Sequence, residues 1–96
     1  MKDLIRKIQR ARFIFICGNG GSSATADHLA TDLIKHKYRA ISLNANASVM
    51  SMIANDIGYP NVFSFPLQVL GSPQDLLITI SCSGTSESVV NAINIA

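Results

Sequence analysis

Two short loops carry the residue types that bind a phosphorylated molecule. The first follows the apolar run 13–17 and reads Cys17-Gly-Asn-Gly-Gly-Ser-Ser23; a helix-like pattern comes after it. The second follows the apolar run 76–80 and reads Ser81-Cys-Ser-Gly-Thr-Ser86. Glycines let the backbone approach an anion closely, and the N–H groups that open a helix carry partial positive charge. Two such loops predict a site for a small phosphorylated ligand at the carboxyl ends of parallel strands.

The glycine loop differs from the known nucleotide-binding patterns. A dinucleotide fingerprint needs a third glycine where Ser23 stands, and the segment 40–44 at the end of the second predicted strand has no acid for the ribose. No Gly-Lys-Ser/Thr follows, which excludes a nucleotide P-loop. In the second loop, Ser83 has no glycine two residues before it, so the loop is not a nucleophile elbow.

Hydroxyl groups dominate the second loop. Those of Ser81, Ser83, Thr85 and Ser86 suit a phosphate monoester without requiring Lys or Arg. Alone, the loop would be read as an ordinary strand–helix turn capped by Ser86. The matching glycine loop favours a binding site instead. Cys82 is either a reactive thiol at a helix start or a small buried filler, and we favour the filler.

A second group of polar residues recurs at four-residue spacing on the predicted second helix. At about 1.5 Å rise per residue, His28 and His36 lie about 12 Å apart along the axis, too far to share one metal ion. His28 and Asp32 are one turn apart and could share a metal, a ligand or a proton. A polar pair on a solvated face agrees equally well with their spacing. The start of their helix in the glycine loop favours a function.

Alternating strand and helix patterns must position these loops. Their order predicts an α/β fold with a parallel sheet and helices on both faces. Ser22 is the predicted N-cap of the second helix, residues 72–75 read as a turn, and Pro66 marks either a helix start or a kink. The predicted elements are helix 2–11, strand 12–17, helix 22–36, strand 39–43, helix 47–55, a turn around 56–60, a helical piece within 61–70, strand 76–81 and helix 86–96.

Composition narrows the class of protein. The chain has 96 residues, 48% of them hydrophobic, and a net charge of +2, which predict one globular domain that does not bind nucleic acid. Its apolar runs are far shorter than the about 20 residues of a membrane span. The basic first 12 residues fit the solvated face of an amphipathic helix better than a targeting segment. Two distant cysteines predict free thiols and a cytoplasmic protein.

The carboxyl-terminal part leads us to expect an incomplete domain. Residues 86–96 form a predicted helix with neither a C-cap glycine nor a basic last turn. A three-stranded parallel sheet would also leave the strand at 76–81 with an unpaired edge.

Three ordered motifs, at residues 18–33, 53–59 and 80–86, resemble the sugar isomerase (SIS) domain. Within it they are most similar to the sedoheptulose 7-phosphate isomerases, from about residue 10 to the end. The resemblance implies a flavodoxin-like, three-layer fold with about three of its usual five parallel strands present, as one SIS domain over 1–96. It also implies a homo-oligomer, a tetramer in the family. The implied enzyme interconverts sedoheptulose 7-phosphate and D-glycero-D-manno-heptose 7-phosphate through an enediol, for bacterial surface heptoses such as those of lipopolysaccharide.

The resemblance also implies roles for individual residues. His28 matches a zinc ligand, and Asp32 stands where the family usually places a glutamate that is both ligand and catalytic base. The family's later Gln and His, which complete the zinc site and supply the acid, lie in a helix that we expect to be missing here. The residues matching substrate or phosphate contacts are Asn19, Gly20, Gly21, Ser22, Asn55, Asp56, Ser81, Cys82, Ser83 and Ser86.

Two alternatives to an active isomerase stay open. Some SIS relatives are regulators, so the chain could be a non-catalytic module that binds a phosphosugar and acts through protein partners. It could also be an isomerase fragment without activity.

Overall fold

A three-stranded parallel sheet organises the chain, which a computed structural model describes over residues 2–81 and 87–96. The strands stand in the order β2-β1-β3, so β1 is central, and β3 lies at an edge, as expected for the strand at 76–80. The elements are α1 (Lys2–Arg10), β1 (Ile14–Gly18), α2 (Gly21–Lys35), β2 (Ala40–Ser42), α3 (Ala47–Ile53), a π-helical turn (Ala54–Gly58), a 3₁₀ turn (Tyr59–Asn61), α4 (Ser64–Leu70), β3 (Leu76–Ile80) and α5 (Glu87–Ile95).

The central strand separates two hydrophobic clusters. Alternate residues of a strand face opposite sides of the sheet. Phe15 and Cys17 therefore pack with buried side chains of α3, α4 and α5, whereas Ile14 and Ile16 pack with Ala26 and its neighbours on α2. Every residue of β1 is buried, which is why its sequence is a continuous apolar run. The predicted α/β fold with helices on both faces of a parallel sheet is confirmed.

Two helix starts differ in how well they were predicted. The prediction that Ser22 caps α2 is wrong, because α2 begins at Gly21 and its N-cap is Gly20. The glycine turn already brings the backbone into helical geometry there, which places Ser22 inside the first helical turn. The helix start near Pro66 is confirmed. Pro66 lies in the first turn of α4, where its missing N–H costs no helical hydrogen bond.

At the amino end of the sheet, Asp75 connects the starts of β3 and β1. Its side chain is only 4% exposed and lies 2.9 Å from the Arg12 guanidinium. It accepts further hydrogen bonds from the backbone N–H groups of Phe13, at 2.9 Å, and Ser72, at 2.7 Å. Burial alone would raise the pKa of Asp75, but the hydrogen bonds from Arg12, Ser72 and Phe13 outweigh it and lower the pKa below its usual 3.8.

We expect Asp75→Asn to lower the free energy of unfolding at neutral pH by about 2 kcal/mol. The substitution removes the charged acceptor of the Arg12 guanidinium and of two backbone N–H groups. Since the folded-state pKa lies below the unfolded value, this stabilisation is complete above about pH 5 and is lost as the pH falls through the folded-state pKa. Urea unfolding of wild type and variant should therefore converge in acid. Asp3→Asn, on the exposed face of α1, is the control. A constant difference between wild type and Asp75→Asn at all pH values would contradict the prediction.

Candidate functional site

The glycine loop is a tight turn that leads directly into α2. The backbone of Gly20 has φ 57° and ψ −127°, and the Ser22 N–H donates to the Asn19 carbonyl at 3.0 Å. These values match a type II′ turn with Gly20 at its first central position, where glycine is strongly preferred. Gly20 and Gly21 are both exposed at the positive end of the α2 dipole. The turn thus presents backbone to an anion from solvent.

The two strands that precede the predicted loops end side by side. Gly18, the last residue of β1, is in register with Ile80, the last residue of β3. A Cβ on Gly18 would lie 2.7 Å from the Ser22 carbonyl oxygen and 2.8 Å from that of Ile80. Only glycine allows α2 and β3 to approach β1 this closely. The sequence-based expectation that both loops start at the carboxyl ends of parallel strands is confirmed.

Asn44 fixes the glycine loop to the end of β2. Its side-chain oxygen accepts a hydrogen bond from the Gly18 N–H at 3.0 Å, and its Nδ2 donates to the Gly18 carbonyl at 2.7 Å. This paired contact satisfies both backbone groups of Gly18 where the sheet ladder ends. Sequence reasoning considered Asn44 only as a position without an acid and missed this role.

The side chain of Asn19 joins the glycine loop to two other segments. Its Nδ2 donates to the Ser88 hydroxyl at 2.8 Å, and its Oδ1 accepts a hydrogen bond from the Tyr59 hydroxyl at 3.1 Å. Ser88 lies in the first turn of α5, and Tyr59 directly follows the π-helical turn. Asn19 was predicted to contact substrate. The structure gives its amide a connecting role within the protein, and the sequence analysis assigned no role to either partner.

Asn55 and Asp56 lie together in the π-helical turn. Both are exposed, and the Asn55 Nδ2 donates to the Asp56 carboxylate at 3.2 Å. Single π-helical turns often occur at functional sites. Their role as substrate contacts stays a prediction.

The remaining predicted site residues are distributed as follows. Ser22 is buried in α2 and Ser81 is half-buried after β3, while Cys82, Ser83 and Ser86 lie outside the described residues. His28 and Asp32 are both exposed, one turn apart on α2. They would offer zinc one nitrogen and one carboxylate, whereas a catalytic zinc site usually has three protein ligands. In the part of the chain that the structure describes, no three His, Cys, Asp or Glu side chains form a metal-binding group.

A buried thiol and a distant cleft are both excluded from the candidate site. Burial raises the pKa of the Cys17 thiol to about 11, so this residue beside the glycine loop offers no thiolate at neutral pH. A cleft of about 330 Å³ lies at the other end of the sheet, with Gly71, Asp75 and Ile95 among its lining residues. The cleft is therefore remote from the two loops.

Among residues 2–81 and 87–96, the helices are too short or too polar to cross a membrane.

Comparison with known proteins gives a consistent result. The family model described as "SIS domain" matches residues 2–96, which confirms the resemblance seen in the sequence. The chain is 37% identical over 99 residues to a phosphoheptose isomerase of Roseiflexus sp. (strain RS-1), with 97% of this chain and 50% of the relative covered. It is 44% identical over 94 residues to the phosphoheptose isomerase of Helicobacter pylori (strain HPAG1), covering 92% and 49%.

Solved structures agree. The phosphoheptose isomerase GmhA from Neisseria gonorrhoeae superposes with a TM-score of 0.91 at 35% identity, over 99% of this chain and 52% of that protein. The chain thus spans about half the length of the relatives it matches.

Proposed function

The chain belongs to the SIS domain family, and from this we propose that it binds a heptose phosphate and takes part in its isomerisation. The proposed reaction interconverts sedoheptulose 7-phosphate and D-glycero-D-manno-heptose 7-phosphate. The observation that carries the proposal is the pairing of Gly18 with Ile80, because it places the strand ends before the glycine turn and before Ser81 side by side at the carboxyl end of the sheet. Relatives named phosphoheptose isomerase support the choice of sugar.

The proposed chemistry transfers one proton between neighbouring carbons. A base removes a proton from C1 of the ketose, the C2 carbonyl oxygen gains a proton, and the resulting enediol is reprotonated at C2 as the C1 hydroxyl becomes the aldehyde. We propose the Asp32 carboxylate as this base. It is exposed on α2, roughly 16 Å along the helix axis from Gly21 at the glycine turn, and is therefore accessible to an extended ligand or to a partner chain.

We also propose that the protein binds zinc. His28 and Asp32 would hold it together with ligands from outside the described residues. Once bound, the ion would stabilise negative charge that develops on the substrate oxygens. The matched relatives are named as isomerases, which gives no support to a purely regulatory binding module.

We also propose that the protein forms homo-oligomers, as tetramers in the cytoplasm, and serves surface-heptose synthesis. Six large apolar side chains exposed on α4 and α5 support an oligomer, because such side chains favour burial against a partner. They are Phe65, Val69, Leu70, Val90, Ile93 and Ile95.

Thermal unfolding with and without sedoheptulose 7-phosphate tests the proposed function. A ligand at about ten times its dissociation constant stabilises the native state by about 1.4 kcal/mol, since it binds only the folded chain. For a domain of this size we expect the Tm to rise by about 5–10 °C. Sedoheptulose without the phosphate is the matched control and should give little shift. A cooperative melt that neither sugar changes would contradict the proposal.

A further inference from the structure

Tyr59 occupies an unusual place beside the proposed ligand site. It follows Gly58, whose φ of 129° and ψ of 138° are a backbone conformation that residues with a side chain rarely adopt. Gly58 ends the π-helical turn that contains Asn55 and Asp56, and the 3₁₀ turn begins at the next residue. Tyr59 is 51% exposed, yet its hydroxyl lies 3.1 Å from the Asn19 Oδ1.

The backbone that carries Tyr59 is held by α5. The Asn91 Nδ2 donates to the Pro60 carbonyl at 3.0 Å, and Val62 is fully buried two residues further on. The backbone that carries the phenol is therefore fixed by contacts other than the hydroxyl contact.

These contacts close a ring around Asn19. Ser88 and Asn91 are three residues apart on α5, so they lie on one face of the helix. Ser88 contacts the Asn19 amide and Asn91 contacts the Pro60 carbonyl, while Tyr59 returns to Asn19. The ring joins the glycine turn, the segment after Asp56 and the helix that follows the serine-rich loop.

We propose that Tyr59 is a positioning residue for the heptose phosphate site, an inference that rests on the proposed function. Its hydroxyl donates to Oδ1 and so directs the Asn19 Nδ2 toward Ser88, which is 2% exposed. A hydroxyl can donate or accept, so Ser88 alone does not determine the orientation of the amide. Asn19 is the first residue of the type II′ turn, and fixing its side chain fixes the Gly20–Gly21 backbone offered to the ligand.

A purely structural role predicts a different result from a positioning role. Because Tyr59 is half exposed, loss of its hydroxyl should leave the melting temperature within about 3 °C of wild type. The same loss should weaken binding of sedoheptulose 7-phosphate about fivefold, which corresponds to one ordinary hydrogen bond.

The experiment compares Tyr59→Phe with Tyr38→Phe, since the chain has two tyrosines and Tyr38 lies at the opposite end of α2. Each ¹⁵N-labelled protein is titrated with sedoheptulose 7-phosphate, and the side-chain NH₂ signals of Asn19 are followed. We expect Tyr59→Phe to shift the Asn19 signals in the free protein and to raise the Kd about fivefold. Tyr38→Phe should change neither.

The outcomes separate the two proposals. Wild type that does not bind the sugar phosphate overturns the proposed function and this inference with it. Wild-type binding that Tyr59→Phe leaves undiminished overturns the inference alone, whether or not the Asn19 signals move. A weaker Kd accompanied by a large fall in Tm would assign Tyr59 to folding and would also overturn it.

Discussion

Gly18→Ala is expected to lower the free energy of unfolding by about 3 kcal/mol or more, since the new Cβ would overlap two backbone carbonyls. The new Cβ would lie only 2.7 Å from the Ser22 carbonyl oxygen and 2.8 Å from that of Ile80. Both oxygens belong to regular elements, α2 and β3, that cannot rotate away as a side chain would. Relief requires α2 or β3 to move off β1, at the point where the two loops leave the sheet.

Differential scanning calorimetry of three glycine variants separates overlap from backbone strain. A Cβ on Gly21 meets nothing within 4 Å, so Gly21→Ala should melt close to wild type. Gly20→Ala also has open space but requires φ +57°, and we expect a loss of about 1–2 kcal/mol from strain alone. Gly18→Ala should lower the Tm by more than about 10 °C. Equal melting temperatures for Gly18→Ala and Gly21→Ala would show that α2 and β3 are not closely packed against Gly18.

The order of elements could be predicted because hydrophobic periodicity is local. The apolar run that ends at Cys17 is long enough for a buried strand, and it became the central strand. Boundaries were harder wherever a turn competes with a side-chain cap. Ser22 has the type of an N-cap, yet the backbone of Gly20 begins the helix earlier. Nothing in the sequence indicated the π-helical turn at Asn55 and Asp56, since an inserted residue leaves no periodic signal over one turn.

Of the candidate site, only the backbone conformation of the glycine turn could be predicted from the sequence. Glycine spacing revealed the turn at Gly20, because the conformation itself demands glycine. Each hydrogen bond that holds the turn joins two residues far apart in the sequence, with separations of 26, 40 and 69 positions. Such pairs leave no trace in the spacing of a single sequence, so the roles of Asn44, Tyr59 and Ser88 emerged only from the fold.

Asp32→Asn should reduce isomerisation at least about 100-fold, because an amide cannot accept the proton that the proposed base removes. The affinity for sedoheptulose 7-phosphate should stay within about twofold, since the reaction is lost in the chemical step. Incubation in D₂O followed by NMR measures the exchange of substrate protons directly. Asp32→Glu should retain exchange, because the resemblance places glutamate at this position. Asp3→Asn on α1 controls for the loss of a surface charge.

Asp27 is the carboxylate that the Asp32 variants must be compared with. It also lies on α2, but it is half-buried, and the Ser42 hydroxyl donates to its Oδ1 at 2.5 Å. That bond ties Asp27 to β2, so we expect it to hold the sheet and the helix together. Asp27→Asn should therefore lower the Tm while exchange per folded molecule persists. If Asp32→Asn kept wild-type exchange and Asp27→Asn lost it, the base would be Asp27, and the bond to Ser42 would be the contact that orients it.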